Sequence, residues 1–75
     1  MTEVEYLERF AKHLVLLRQR AGFSQEELAE RAGLHAVAIT YIETGKRIPK
    51  LNTLYRLVTG LGISIEELVR CEDTI

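Results

Sequence analysis

The sequence predicts an all-α fold, a compact bundle of five short helices. Apolar residues recur every three or four positions, no stretch alternates with a period of two, and glycines separate the apolar stripes. Hydrophobic residues make up 47% of the chain and charged residues 28%, which is typical of a folded globular protein. At 75 residues we expect a single domain, residues 1–75. A core of this size is marginal, which favours a homodimer.

Glycine and serine residues delimit the first two helices. The first helix is predicted from about Val4 to Ala21, with Gly22 as its left-handed cap. Ser24 begins the second helix, because Glu27 follows three residues later and completes a capping box. The second helix then ends at a glycine, Gly33. Its predicted buried residues are Leu28, Ala29 and Ala32.

The third and fourth helices are separated by a short basic loop. The third is predicted over about Ala36–Glu43, with Ile39 and Ile42 buried and Thr44 and Gly45 after its last turn. The fourth is predicted over about Leu51–Leu61 and stops at Gly62. Its predicted buried face carries Leu51, Leu54, Leu57, Val58 and Leu61.

A second capping box begins the fifth helix. Ser64 and Glu67 have the same spacing as the pair at the start of the second helix, and we expect the fifth helix to end near Cys71.

The formal net charge of −1 hides an uneven distribution of charge. Both ends of the chain are acidic, whereas residues 9–65 hold nine basic and four acidic residues. An anion such as a phosphate backbone responds to the local field more than to the total charge. The alternative is that the basic residues lie on ordinary solvated faces. They form two blocks without acids: Arg9, Lys12, Arg18 and Arg20, then Lys46, Arg47, Lys50 and Arg56.

The sequence argues against an enzyme. One cysteine and two histidines cannot fill a tetrahedral zinc site alone, and no glycine-rich phosphate loop is present. We therefore expect no catalytic residues, metal, cofactor or small-molecule ligand. The lone Cys71 excludes an intrachain disulfide, which suits a reducing cytoplasm. The acidic first residues and the lack of a long apolar run predict neither a signal peptide nor a membrane span.

Three segments in a fixed order carry a family resemblance. They are "LRQRAGFSQEELAERAGL", "ITYIETGKRIP" and "LNTLYRLVTGLGISIEEL", within residues 14–69. In order and spacing they resemble the lambda-repressor-like helix-turn-helix family, which includes phage repressors, Cro-type regulators and restriction–modification controller proteins. The resemblance implies a sequence-specific DNA-binding transcription regulator with a helix-turn-helix formed by the second and third helices. It does not separate a controller protein from a phage-type repressor.

The resemblance also assigns roles to individual residues. Gln25 matches a glutamine that binds a phosphate and braces the reading helix. Glu43 matches a glutamate that pairs with an arginine, here Arg18, and this structural pair ties the first helix to the end of the third. The reading helix, residues 36–43, is expected to enter the major groove of double-stranded DNA.

The predicted DNA-binding residues lie at the amino ends of the second and third helices, along the third helix and just after it. They are Ser24, Gln25, His35, Ala36, Val37, Thr40, Tyr41, Thr44, Lys46 and Arg47.

The residues of this set are expected to contact either the DNA backbone or the bases. Helix amino ends bind phosphates through their amides and dipole, and Lys46 and Arg47 are expected to hold the DNA backbone. Ala36 and Val37 lack polar side-chain atoms, so we expect contacts to thymine methyls. Thr40 is expected to bond a base edge or a phosphate.

Several of these residues have a structural alternative. His35 is more simply a cap of the third helix, Val37 would pack against the second helix, and Tyr41 would only cover the helix surface. His13 is expected on an exposed helix face, and Cys71 as a spare thiol near an interface.

Dimerisation is expected because one helix reads too few base pairs. A two-fold dimer reads two half-sites about 34 Å apart, or a multiple of that. The interface candidates are Ile63, Ile65, Leu68, Val69 and Ile75, with core burial as the alternative for Ile63 and Leu68.

The competing function is an antitoxin-like or other protein-interaction module that uses the same surface. The apolar stretch Ala36–Ala38 favours it, as do Val15 and Leu16, which lie where relatives have polar residues.

Overall fold

The structure is a computed structural model, and it describes residues 1–71. These residues form five α-helices and, over that range, no β-strand: α1 (Glu3–Arg20), α2 (Gln25–Ala32), α3 (Ala36–Glu43), α4 (Leu51–Leu61) and α5 (Ile65–Val69). The predicted all-α fold is confirmed. The interface candidate Ile75 lies outside the described residues.

Capping boxes begin three of the helices. The amide of Glu27 donates to Ser24 Oγ at 3.0 Å, and the amide of Ser24 donates to Glu27 Oε1 at 2.9 Å. Ser64 and Glu67 repeat this arrangement at α5, and Thr2 and Glu5 do so at α1, where the sequence analysis had not identified a cap. Hydrogen bonds from the backbone amides of the caps hold the pKa of Glu5 and of Glu27 below its ordinary value.

The core lies where α2 packs against both α3 and α4, while α1 contacts α3 and α5. Close packing of α2 and α4 depends on Gly60, because a Cβ at this position would lie 3.0 Å from the Cβ of Ala32. The side chains without exposed surface are Leu14, Leu28, Ile39, Leu57, Leu68 and Cys71.

Two long-range hydrogen bonds tie the short α5 to α1. The hydroxyl of Tyr6 donates to the carbonyl oxygen of Val69 at 2.7 Å. His13 Nε2 lies 2.6 Å from the carbonyl oxygen of Glu67, and only 9% of His13 is exposed. The expectation that His13 lies on an exposed face is therefore wrong, since its ring forms a polar contact between two helices.

Three other expectations about burial are also corrected. Leu51 is 80% exposed rather than on the buried face of α4, because it occupies the first position of that helix. Leu68 and Cys71 are completely buried within the chain, so Leu68 has no surface for a dimer interface and Cys71 is not a spare thiol. Helix α5 ends at Val69, two residues before the expected position.

The part of the chain that the structure describes contains no helix both long and apolar enough to cross a lipid bilayer.

Candidate nucleic-acid interface

An ion pair joins α1 to the end of α3. Arg18 Nε donates to Glu43 Oε2 at 2.7 Å, and an Nη of Arg18 donates to Glu43 Oε1 at 3.0 Å. The other Nη of Arg18 donates to the carbonyl oxygen of Phe23 in the turn before α2. The hydrogen bonds to Glu43 raise the pKa of Arg18. The two residues predicted to pair therefore lie in bidentate contact, and the pair also fixes the start of α2.

A second arm of this network connects α2 with α3. Gln25 Nε2 donates to Glu43 Oε1 at 2.8 Å, and the hydroxyl of Thr40 donates to Gln25 Oε1 at 2.9 Å. Arg18, Glu43, Gln25 and Thr40 form one chain of hydrogen bonds, which we call the polar brace. It joins three helices, so it holds α3 in a fixed orientation relative to α1 and α2.

The outer surface of α3 is free of core contacts. Ile39 and Ile42 are buried, whereas Val37 is 54% exposed and Tyr41 is 38% exposed. Ala36 and Thr40 are half-buried. The exposure of Val37 argues against the alternative that it packs against α2, and it leaves an apolar side chain on the outer face of this helix.

The amino ends of α2 and α3 differ in their suitability for an anion. Helix α2 is capped by Ser24 and has two acidic residues in its first turn, Glu26 and Glu27. Helix α3 has no acidic residue in its first turn and no side-chain cap. His35 occupies the N-cap position, as expected of a residue that caps this helix, but its side chain makes no capping hydrogen bond. The amides at the start of α3 are thus better placed for a phosphate.

The loop after α3 folds back on the helix. The amides of Lys46 and Arg47 both donate to the carbonyl oxygen of Tyr41, at 2.8 and 3.1 Å. The guanidinium of Arg47 lies 5.1 Å from the centroid of the Tyr41 ring, within range of a cation–π contact. The backbone of Lys46 and Arg47 is therefore held next to Tyr41, and the side chain of Arg47 lies against the Tyr41 ring. The hydroxyl of Thr44, by contrast, donates to the carbonyl oxygen of Thr40 at 2.8 Å.

Several other arginines are used for internal contacts. Arg18 is bound in the polar brace, Arg31 Nε donates to the carbonyl oxygen of Gly60, and Arg56 donates to that of Gly33 in the turn between α2 and α3. The sequence analysis counted Arg18 in a basic block, but its charge is balanced by Glu43. The exposed basic surface next to α3 consists mainly of Lys46, Arg47 and Lys50.

Sequence reasoning missed two features of this site. The bond between Thr40 and Gln25 joins residues that are fifteen positions apart on different helices, and no local pattern indicates it. The contact of Arg47 with Tyr41 depends on the backward fold of the loop. Among residues 1–71, no group of histidine, cysteine and acidic side chains is arranged to hold a metal ion.

Comparison with known proteins identifies the family. Residues 14–68 match the helix-turn-helix family HTH_3. An uncharacterised HTH-type transcriptional regulator, y4dJ of Sinorhizobium fredii, is 40% identical over 57 residues, which are 76% of this chain and 74% of the relative. The HTH-type transcriptional regulator PuuR of Escherichia coli is 41% identical over 56 residues, 75% of this chain but only 30% of PuuR.

A solved structure shows the same fold. The restriction–modification controller protein C.AhdI from Aeromonas hydrophila superposes with a TM-score of 0.80 at 37% identity, covering 83% of this chain and 94% of the controller protein. The two short helices α2 and α3 with their glycine turn, braced by a buried ion pair, define a helix-turn-helix DNA-binding protein. The chain belongs to the helix-turn-helix family HTH_3, whose members are non-enzymatic DNA-binding transcription regulators.

Proposed function

We propose that this protein is a sequence-specific transcription regulator that inserts α3 into the major groove of its operator and binds as a homodimer. The observation that carries the proposal is the combination of an exposed outer face on α3 with a polar brace behind it. Helix α3 has eight residues, a length of about 12 Å, which suits a major groove about 12 Å wide. A rigid mounting reduces the conformational entropy that binding would otherwise cost.

The contacts to DNA divide into positioning and reading contacts. Lys46 and Arg47, with the amides at the start of α3, bind phosphates and set the position of the helix. Ser24 and Gln25 add phosphate contacts at the start of α2, where the second amide hydrogen of Gln25 is not needed by Glu43. His35 and Tyr41 flank the base contacts on α3.

Reading depends on apolar as well as polar contacts. Ala36 and Val37 offer only methyl groups, so they contact thymine methyls, and the remaining specificity comes from Thr40 and from DNA deformability. The exposed Val37 supports this role. The hydroxyl hydrogen of Thr44 is used by the carbonyl oxygen of Thr40, so Thr44 does not donate from its side chain to a phosphate.

A homodimer explains how so small a reading surface selects an operator. Of the interface residues predicted on the fifth helix and just before it, Ile65 is 46% exposed, while Ile63 and Val69 are half-buried against the core. We therefore place the interface on α5 around Ile65. A small restriction–modification controller fits this arrangement, since C.AhdI has a similar fold over nearly its whole length.

The test is a selection of bound fragments from a random duplex pool, followed by affinity measurements at several salt concentrations. We expect a two-fold symmetric site and a steep loss of affinity as salt rises, because phosphate contacts release counterions. Replacing Lys46 and Arg47 by alanine should weaken binding to all sequences and reduce the salt slope by about 1 per lost contact. The matched control is Arg70→Ala, which removes an exposed positive charge at the end of α5.

A failure to bind duplex DNA would contradict the proposed function. If the protein binds no duplex at low salt, α3 is not a reading helix. Its exposed apolar residues would then favour the competing function, a protein-interaction module.

A further inference from the structure

The hydrogen bonds of the polar brace have a fixed direction. The guanidinium of Arg18 can only donate, and an ionised carboxylate can only accept. Glu43 therefore accepts from Arg18 and from Gln25 Nε2, at 2.7 to 3.0 Å. This orients the amide of Gln25, because a flipped amide would place Oε1 against the carboxylate. Gln25 Oε1 consequently faces Thr40 as an acceptor.

The orientation of Gln25 determines what Thr40 can do. The hydroxyl of Thr40 has one hydrogen, and both of its protein partners are acceptors: Gln25 Oε1 at 2.9 Å and the carbonyl oxygen of Ala36 at 3.2 Å. Whichever partner takes the hydrogen, it points into the protein. The lone pairs of Thr40 Oγ1 remain for a ligand.

Thr40 is also placed to meet a base. It lies three residues after Val37, so the two side chains share one face of α3, and Val37 is 54% exposed. Thr40 itself is half-buried, so part of its surface is open to solvent.

We infer that Thr40 contacts the operator as a hydrogen-bond acceptor and recognises an exocyclic amino group in the major groove, adenine N6 or cytosine N4. The inference rests on the proposed function and narrows it. In the major groove only these two groups donate, whereas guanine N7 and O6, thymine O4 and phosphate oxygens accept. Two acceptors facing each other cannot form a hydrogen bond. The polar brace thus excludes guanine, thymine and phosphate as partners of Thr40, although sequence analysis had left base edge and phosphate open.

The test uses the full chain and its selected operator with single amino groups removed. One set of duplexes replaces each adenine in turn by purine, which lacks the 6-amino group. A second set replaces each cytosine by 2-pyrimidinone, which lacks the 4-amino group. For the unaltered protein we expect affinity to fall about 2- to 12-fold at one position per half-site, the loss of a single hydrogen bond.

Three variants make the assignment specific. Thr40→Val, nearly isosteric but without lone pairs, should bind the natural operator less tightly. Its affinity should no longer depend on the amino group at that one position, whereas the affinity of Thr40→Ser should still depend on it. Because each variant is measured on the same duplexes, any effect of amino-group removal on base pairing cancels in the comparison. Gln25→Met removes the acceptor from the brace and should leave the Thr40 hydroxyl less well oriented, with a smaller amino-group effect. Circular dichroism of each variant checks that it is folded.

Two results would overturn the inference. The first uses operators in which guanine N7 is removed (7-deazaguanine) or a phosphate oxygen is replaced by methyl (methylphosphonate). If such a change weakens binding by the unaltered protein but not by Thr40→Val, Thr40 donates to that acceptor. If Thr40→Val changes the effect of no amino group, Thr40 reads no base. Either result leaves selective binding by the unaltered protein intact, so it is distinct from failure of the proposed function. A protein that selects no sequence at all would overturn both together.

Discussion

At the residue scale, Glu43 is a buried acidic side chain with several hydrogen-bond donors around it. Its side chain is 3% exposed, and three N–H groups from Arg18 and Gln25 neutralise or solvate its carboxylate. Because Glu43 lies at the end of α3 and Arg18 at the end of α1, the same contacts that satisfy a buried charge also hold the reading helix. Because the pKa of Arg18 is raised, its ion pair with Glu43 stabilises the fold at every pH below the ordinary arginine pKa. This stabilisation is lost only at strongly alkaline pH.

Removing Arg18 should therefore be costly. In Arg18→Met the Glu43 carboxylate stays buried without its charged partner, and we expect the free energy of unfolding to fall by about 3–5 kcal/mol. Urea denaturation followed by circular dichroism measures this change. The control is Arg20→Met, an exposed position in the same last turn of α1, for which we expect about 0.5 kcal/mol or less. Equal effects of the two variants would show that the buried pair does not brace the fold.

The capping glutamates make a prediction about acid stability. The pKa of Glu27 is below its ordinary value of 4.5, chiefly because the backbone amide of Ser24 donates to it. A carboxylate whose pKa is lowered by folding stabilises the fold fully at a pH above its ordinary pKa. This stabilisation is lost as the pH falls through the pKa of the folded state. Glu27→Gln keeps a capping amide but cannot titrate. The free energy of unfolding of Glu27→Gln should therefore fall less steeply below pH 4.5 than that of the unaltered protein.

The matched control for this prediction is Glu30→Gln, an exposed position on the same helix outside the cap. Thermal unfolding between pH 3 and pH 6 compares the three proteins. A Glu27→Gln curve parallel to that of the unaltered protein throughout this range would contradict the assigned role of the carboxylate.

At the element scale, the approach of α2 and α4 depends on the lack of a side chain at Gly60. In Gly60→Ala the new Cβ would lie 3.0 Å from both the Cβ and the amide nitrogen of Ala32. Alanine gains about 1 kcal/mol of helix propensity, but overpacking of a core costs about 1–3 kcal/mol. We expect a net destabilisation of about 1 kcal/mol.

A double-variant cycle with Ala32→Gly separates these terms by urea denaturation. Removing the opposing Cβ should relieve the part of the clash that does not involve the Ala32 backbone, so the two substitutions should couple favourably by about 0.5 kcal/mol. Strict additivity would mean that the Cβ of Ala32 does not limit the approach of α2 and α4.

The helices themselves were predictable from local signals. Ser24 with Glu27, Ser64 with Glu67, and the glycines Gly33 and Gly62 fix helix ends through hydrogen bonds within a few residues, and these ends are where the sequence analysis placed them. Contacts between helices were less predictable. The burial of His13 depends on a carbonyl oxygen 54 positions away, which no periodic pattern encodes.

The same distinction applies to the candidate site. Gln25 and Glu43 were named from the family resemblance, but the hydrogen bond between Gln25 and Thr40 follows only from the packing of α2 on α3. Leu51 shows the reverse error: it fits the apolar stripe of α4 by spacing, yet its position at the first turn leaves it in solvent. Val15 and Leu16, considered as a second contact surface, are half-buried along α1.

At the scale of the whole molecule, basic and acidic side chains lie in different parts of the chain. Exposed basic residues follow α3, whereas Glu66 and Glu67 occupy the first turn of α5. This arrangement explains how a chain with a net charge of −1 attracts a phosphate backbone. It also leaves α5 available for contact with a second copy of the chain.

The proposed dimer makes a prediction at this scale. Ile65→Glu places an unpaired charge in the interface and should weaken dimerisation at least about tenfold, as measured by sedimentation equilibrium. Tyr55→Glu is the control, because it adds the same charge at an exposed position on α4. If Tyr55→Glu dissociates the dimer and Ile65→Glu does not, the interface lies on α4 instead.

The central claim, that α3 enters the major groove, is tested most directly by DNA cleavage from a reagent attached to α3. Cys71 is completely buried, so an iron–chelate reagent should label Val37→Cys selectively at position 37. On the selected operator we predict cleavage confined to a few nucleotides within each half-site, and none from the same reagent on Glu8→Cys, an exposed position on α1. Equal cleavage from both positions, or none within the half-sites from position 37, would contradict the placement of α3 in the groove.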